Sequence, residues 1–240
     1  MRVLVTRIRS ASEKTAKTLR EHGHDPVLLP MFTLVDTGDP IPNELFGGYV
    51  FTSGNALEIL DRRGWFPSES DCVAYCVGDE TAQSAKSFGF SKVLSADGNA
   101  QDLARLIESD LTDKPVKLLY LAGVKRSFDL QGTLERLGIM IDQTEVYRIE
   151  QVHPKAETKQ VALDQLGSGA VFFYSHNTAK DVCDEIFEGY ESPGSENLVA
   201  VAISTKTADA VLKYPWQAVY VADRPTERSM VEKLKEVSLA

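Results

Sequence analysis

The chain has 240 residues, 43% of them hydrophobic and 25% charged, enough to bury a core as one large or two small domains and too apolar for a disordered tail. Lys and Arg number 26 against 35 Asp and Glu, a formal net charge of −9, and the absence of any basic run or basic-aromatic stripe speaks against DNA or RNA as a partner. No apolar run approaches the roughly 18 residues that span a bilayer, and Arg7 and Arg9 interrupt the amino-terminal stretch before a signal-like segment develops, so the expected setting is the cytoplasm, away from membranes.

Val3-Leu4-Val5 is the first of a series of short apolar runs. The interval after it reads as a helix: Ser10-x-x-Glu13 has the spacing of a capping box, and Gly23 suits the left-handed residue that closes a helix. Residues 26–29, 49–51, 73–77 and 92–94 are the next runs, and Leu57 and Leu60 share a helical face after the turn at Ser53. A second series takes in 118–121, 141–147, 170–173, 198–201 and 218–221, with Val182, Cys183, Ile186 and Phe187 at helical spacing after Ser175. Near-continuous apolar strands alternating with amphipathic helices indicate parallel sheets covered on both faces, so the fold class is α/β with doubly wound parallel sheets. Cys72, Cys76 and Cys183 are odd in number and lie in or beside apolar segments, which marks them as buried reduced thiols.

The two series align. Val3 matches Leu118 and Gly23 matches Gly138, each 115 residues apart; Phe51 to Asn55 matches Phe173 to Asn177 at 122; Thr81-Ala82 matches Thr207-Ala208 and Ala96-Asp97 matches Ala222-Asp223 at 126. An offset that grows stepwise is what loop insertions produce, so the chain is an internal duplication of two similar α/β units, with the cleft between them the expected ligand site. The repeat by itself would divide the chain near residue 114.

Ligands of parallel α/β units collect beyond the carboxyl ends of the strands, where helix N-termini offer unpaired N–H groups. Four turns stand at such places: Thr52-Ser53-Gly54-Asn55, Gly78-Asp79-Glu80-Thr81, Ser175-His176-Asn177-Thr178 and Ser204-Thr205-Lys206-Thr207. Their hydroxyl and amide residues serve as ordinary N-caps and can equally hold carboxylate or phosphate, so an acidic protein can still bind an anion. Arg7 and Lys125 lie just past strand ends and add local positive charge. His22 and His24 lack further ligands of metal-site spacing, and no Ser-His-Asp set, G-x-S-x-G elbow, Walker loop or H-E-x-x-H helix is present. Gly167-Ser168-Gly169 precedes a strand, whereas a dinucleotide fingerprint follows one, so it reads as a turn. Tyr147 is the best candidate acid: it ends a strand, and its repeat counterpart, Phe32, has no hydroxyl.

Val50-Phe51-Thr52-Ser53-Gly54-Asn55-Ala56, Val77-Gly78-Asp79-Glu80-Thr81-Ala82, Val146-Tyr147-Arg148 and Phe173-Tyr174-Ser175, in that order and at those separations, resemble uroporphyrinogen-III synthases over nearly the whole chain. The sequence departs from the family's usual pattern at Ile8, Gly54 and His176, where proline is common, and at Ser204, where glycine is frequent. The resemblance implies two flavodoxin-like domains, 1–33 with 152–240 and 37–148, joined by connector strands at about 33–37 and 147–152. It implies a cofactor-free, metal-free, monomeric enzyme that closes hydroxymethylbilane, a linear tetrapyrrole octacarboxylate supplied by hydroxymethylbilane synthase, to uroporphyrinogen III with inversion of the last ring and loss of water. On that reading Tyr147 is the general acid, and Arg7, Ser53, Gly54, Asn55, Thr81, Lys125, Ser175, His176, Asn177, Lys206 and Thr207 bind the substrate. Two alternatives are a non-catalytic two-domain protein that binds an anionic ligand and an FMN-binding flavodoxin-like carrier. In the latter the phosphate loop should follow the first strand, whereas the Thr52 turn follows the third.

Overall fold

Apolar runs become strands where both faces are covered: Gly48–Phe51, Ala170–Phe173 and Val199–Ala202 are buried at every position. The computed structural model describes residues 1–67, 72–112, 115–187 and 197–237. In chain order the elements are β1 (Arg2–Val5), α1 (Arg9–Glu21), β2 (Asp25–Leu28), β3 (Phe32–Asp36), β4 (Gly48–Phe51), α2 (Gly54–Arg62), β5 (Val73–Cys76), α3 (Asp79–Phe88), β6 (Lys92–Ser95) and α4 (Ala100–Asp110). They continue with β7 (Lys117–Gly123), α5 (Leu130–Arg136), β8 (Met140–Gln151), α6 (Ala156–Leu166), β9 (Ala170–Phe173), α7 (His176–Phe187), β10 (Val199–Ala202), α8 (Thr205–Val211), β11 (Ala218–Val221) and α9 (Glu227–Val237).

The chain forms two compact units, Met1–Thr33 with Glu150–Ala240 and Leu34–Ile149. The first carries a sheet in the order β11-β10-β9-β1-β2, the second a sheet in the order β3-β8-β7-β4-β5-β6. With β1 equivalent to β7, β2 to β8, and β4, β5 and β6 to β9, β10 and β11, the two orders coincide apart from the added β3. The ladders joining these equivalent strands are parallel, so both sheets are doubly wound in the flavodoxin-like order. Each sheet draws strands from both halves of the repeat, because β1 pairs with β9 and β7 with β4. The boundaries between units fall inside β3 and β8, and residue 114, where the repeat alone would divide the chain, lies outside the described residues.

The duplication extends to single hydrogen bonds. Val77 N–H donates to Phe51 O at 3.1 Å and Ile203 N–H to Phe173 O at 2.9 Å, while Ala96 and Ala222 donate to Cys76 O and Ala202 O, both at 2.9 Å. Gly23 and Gly138 adopt φ of +77° and +79° and close α1 and α5 in the same way: their N–H groups bond Arg20 O and Glu135 O, and the following residues bond Leu19 O and Leu134 O. Glycine suits the left-handed position that this closure requires.

The amino terminus of α1 departs from the expected capping box. Ile8, buried and extended, is the N-cap without a side-chain cap bond, which puts Ser10 inside the first turn, and Glu13 accepts from Arg9 Nε at 3.1 Å. Burial of Ile8 fixes where the helix starts, and Ser12 Oγ, fully buried, donates to Arg7 O at 2.9 Å.

In the first unit Leu19, Phe172, Met230 and Leu234 pack together with β1 and β9. In the second, Leu103, Ile107, Tyr75 and Tyr120 fill the space beside β7, and Tyr75 donates its buried hydroxyl to Asp110 Oδ2 at 2.7 Å. Cys72, Cys76 and Cys183 are free and buried, and burial pushes the Cys76 thiol up to about 12.

Asp36, at the end of β3, is chelated by Arg63 at the end of α2, whose Nε reaches Oδ1 at 3.1 Å and Oδ2 at 2.9 Å, with Nη1 on Asp39 O at 2.7 Å. This pairing holds the Asp36 carboxyl below its ordinary value. A depressed folded-state pKa gives stability that is present above the ordinary carboxylate pKa and is lost as the pH falls through the folded value. The urea midpoint of Asp36→Asn is therefore expected below that of the unaltered chain at about pH 7, with the gap closing toward about pH 3; a gap independent of pH contradicts the pairing.

Candidate functional site

The carboxyl end of a doubly wound sheet opens a crevice where strand order reverses. In the second unit that place lies between β7 and β4. Ser53 is extended (φ −161°, ψ 145°) and caps α2, its Oγ accepting from Asn55 N–H at 3.2 Å. Gly54 begins the helix, and a Cβ on it would stand 3.1 Å from Ser84 Oγ of α3, so the turn lies close against that helix. The Tyr147 phenol, on β8, lies beside the Ser53 and Asn55 side chains, whose polar groups favour its ionised form. Burial pushes its pKa above the ordinary value of 10.0, and the nearby Tyr120 adds to this, while Ser53, Asn55 and the Arg126 guanidinium pull it back. The phenol is therefore protonated at neutral pH and can donate. Tyr120, almost wholly buried, shares a hydrogen bond of 2.9 Å with Thr52 Oγ1.

The loop after β7 completes this end. Arg126 Nη1 donates to Gly123 O and to Glu145 Oε1, each at 2.6 Å, so its charge is balanced locally. Lys125 beside it is exposed. A cavity of about 420 Å³ opens along Arg126, Phe128, Gln131 and Gln143. A second, of about 420 Å³, lies at the opposite, amino end of the sheet among Leu111, Val116, Ile139 and Met140, away from Tyr147. Thr81, in the first turn of α3, is buried and shares that turn with Asp79 and Glu80.

In the first unit the corresponding place lies between β1 and β9. Arg7 lies with its guanidinium carbon 4.1 Å from the ring centroid of Tyr174. Its Nη1 donates to Thr15 Oγ1 and to Glu227 Oε2, both at 3.3 Å. The same carboxylate oxygen accepts from Thr15 Oγ1 at 2.6 Å and from Tyr174 Oη at 2.9 Å. The Tyr174 phenol is pushed far above its ordinary pKa, by burial first and by the Glu227 charge second. Ser175 is half-buried ahead of α7, and His176 and Asn177 are exposed on its first turn. His176 Nδ1 bonds Lys206 O at 2.8 Å and links the turns that begin α7 and α8; a carbonyl partner requires the proton on Nδ1. Lys206 is exposed, whereas Thr207 is buried with its hydroxyl 3.0 Å from Ser204 Oγ, which caps α8.

The structure thus brings Tyr147, Ser53 and Asn55 together in one unit, and His176 and Lys206 together in the other. Sequence reasoning missed Tyr120, Gly123 and Glu227. Tyr120 had a usable signal, an aromatic hydroxyl in an otherwise aliphatic run; Glu227 is 220 residues from Arg7 and had none. Among the described residues no cluster of three or more His, Cys, Asp or Glu could hold a metal ion, and no helix is long and apolar enough to cross a membrane.

Residues 13–232 match the family model described as uroporphyrinogen-III synthase HemD. The porphyrin biosynthesis protein HemD of Ruminiclostridium josui is 26% identical over 253 residues, covering 98% of this chain and 48% of that protein, so the chain spans about half the length of this curated relative. Among solved structures, uroporphyrinogen-III synthetase from Helicobacter pylori 26695 is 20% identical with a TM-score of 0.68, covering 100% of this chain and 99% of that one. A mutant uroporphyrinogen III synthase from the extremely thermophilic bacterium Thermus thermophilus is 18% identical with a TM-score of 0.52, with coverage of 100% and 99%. At these identities the two structures speak for the fold.

Proposed function

The chain belongs to the uroporphyrinogen-III synthase HemD family, and from that premise we propose that it cyclises hydroxymethylbilane to uroporphyrinogen III, inverting the last pyrrole ring with loss of one water. The observation that carries this reading is the Tyr147 phenol, kept protonated by burial and lying beside Ser53 and Asn55 at the carboxyl end of the second unit's sheet. Tyr147 donates its proton to the departing hydroxymethyl oxygen, which leaves as water and gives an azafulvenium cation. The substituted carbon of the terminal ring attacks it, and the spiro intermediate fragments and recloses at that ring's free carbon. The proton lost from this carbon on closure balances the one Tyr147 gave.

Substrate carboxylates are bound by the accessible parts of the helix starts: Ser53, Gly54 and Asn55 at α2, Ser175, His176 and Asn177 at α7, with Lys125, Lys206 and the partly exposed Arg7 supplying charge. Thr81 and Thr207, both buried, hold their turns in shape for the neighbouring N–H groups. The protein's main task is to hold the flexible chain in the inverting geometry, which is catalysis by orientation. The reading also takes the enzyme as a cytoplasmic monomer, free of metal and cofactor, that receives its substrate from hydroxymethylbilane synthase. Purified chain dialysed against EDTA is expected to consume hydroxymethylbilane well above the spontaneous rate, unaffected by added metal. Consumption at the spontaneous rate overturns the proposal, and activity that returns only with metal overturns its metal-free part.

A further inference from the structure

β7 and β8 run in step from Lys117↔Met140 to Ala122↔Glu145, and the next pair is Gly123↔Tyr147, so Val146 is skipped. Such a bulge puts one extra residue on β8 and re-aims the side chains beyond it. Here it sets Tyr147 directly against Gly123. A Cβ at position 123 would lie 2.6 Å from Tyr147 Cζ, 2.8 Å from Cε2 and 2.8 Å from the phenol oxygen, all inside van der Waals contact. Positive-φ glycines occur elsewhere in the chain, but Gly123 is not among them, so glycine is needed here for space and not for conformation.

The backbone at this point has little room to yield. Val124 N–H donates to Tyr147 O at 2.9 Å, and Arg126 Nη1 grips both Gly123 O and Glu145 Oε1 at 2.6 Å. One strand end is thus tied to the other on both sides of the bare Cα. We propose that Gly123, at this bulge, is a positioning residue for Tyr147: its missing side chain leaves the space against β7 that the phenol occupies. A methyl group at 123 would have to push the phenol out of this place.

The functional half of this proposal rests on Tyr147 as proton donor; the steric half does not. Urea midpoints of the intact chain are compared for Gly123→Ala on the native background and on Tyr147→Ala, which removes the ring. The midpoint is expected to drop on the first background and to stay unchanged on the second, and failure of Gly123→Ala to fold while Gly123→Ala/Tyr147→Ala folds gives the same answer. Equal drops on both backgrounds overturn the contact. In turnover, Gly123→Ala is expected to lower kcat about tenfold or more with KM little changed, since small misplacements of a catalytic group have effects of this size, and to cost nothing further when Tyr147 is already Phe. An undiminished kcat, or the same loss on both backgrounds, overturns the positioning role. If Tyr147→Phe is itself without effect while the stability comparison holds, the donor reading fails and the contact stands.

Discussion

Tyr147→Phe is expected to lower kcat for hydroxymethylbilane closure about ten- to a hundredfold, about 1 to 3 kcal/mol in the barrier. The effect is bounded from above because the hydroxyl departs from an electron-rich pyrrole readily even without help, so the phenol assists a step that already proceeds. It is bounded from below by the environment, since the phenol is held in place against Gly123 and kept protonated by burial, which makes it a prepositioned donor. The ring stays in place against Gly123, so KM, the far-ultraviolet spectrum and the urea midpoint should change little. Steady-state kinetics under anaerobic conditions check this, and undiminished turnover removes Tyr147 from the chemistry.

Glu227→Ala is expected to be among the most destabilising changes near either crevice, by about 2 to 3 kcal/mol. One carboxylate oxygen satisfies Arg7, Thr15 and Tyr174 together. Its removal takes the shared acceptor from all three, leaving only the longer bonds of Arg7 to Thr15 at 3.3 Å and of Thr15 to Tyr174 at 3.4 Å, and the side chains of Arg7 and Glu227 are only 32% and 18% exposed, so water replaces the lost acceptor poorly. Removing the cation instead leaves Glu227 with two donors, so Arg7→Met should cost less, and adding Arg7→Met to Glu227→Ala should recover part of the loss. Urea unfolding of the three variants checks the order. A Glu227→Ala midpoint equal to that of the native chain contradicts the cluster.

The parts of the fold that depend on local pattern were readable from the sequence. The apolar runs marked the strands because parallel strands buried on both faces cannot carry alternating polar residues, and Gly23 and Gly138 marked helix ends because the closing residue is left-handed. The repeat identified equivalent elements, but it could not say which copy of a strand pairs with which: β1 and β7 are equivalent, and either could lie beside β4 or β9. That choice depends on the path of β3 and β8, and only the family resemblance pointed to it. Ser10-x-x-Glu13 misled because the start of α1 is set by burial of Ile8, a tertiary effect that the capping pattern does not encode.

The candidate site divides along the same line. Ser53 and Asn55 stood out as residues of a helix start, and Tyr147 as a hydroxyl where the other half of the repeat has a bare ring. Gly123 did not stand out, because its role arises from a one-residue register shift between two strands. Glu227 did not, because an acidic residue opening a helix is common and its partner lies at the other end of the chain. Arg126 was visible only as part of a basic pair with Lys125; its bonds to Gly123 O and Glu145 Oε1 are what set it apart.

The most direct test of the central claim is to incubate the purified chain with freshly generated hydroxymethylbilane, oxidise the products and separate the porphyrin isomers by chromatography. Predominant type III isomer is the predicted result, since only a catalyst that holds the chain in the spiro geometry inverts the last ring. Type I isomer alone, the product of uncatalysed head-to-tail closure, would contradict the claim.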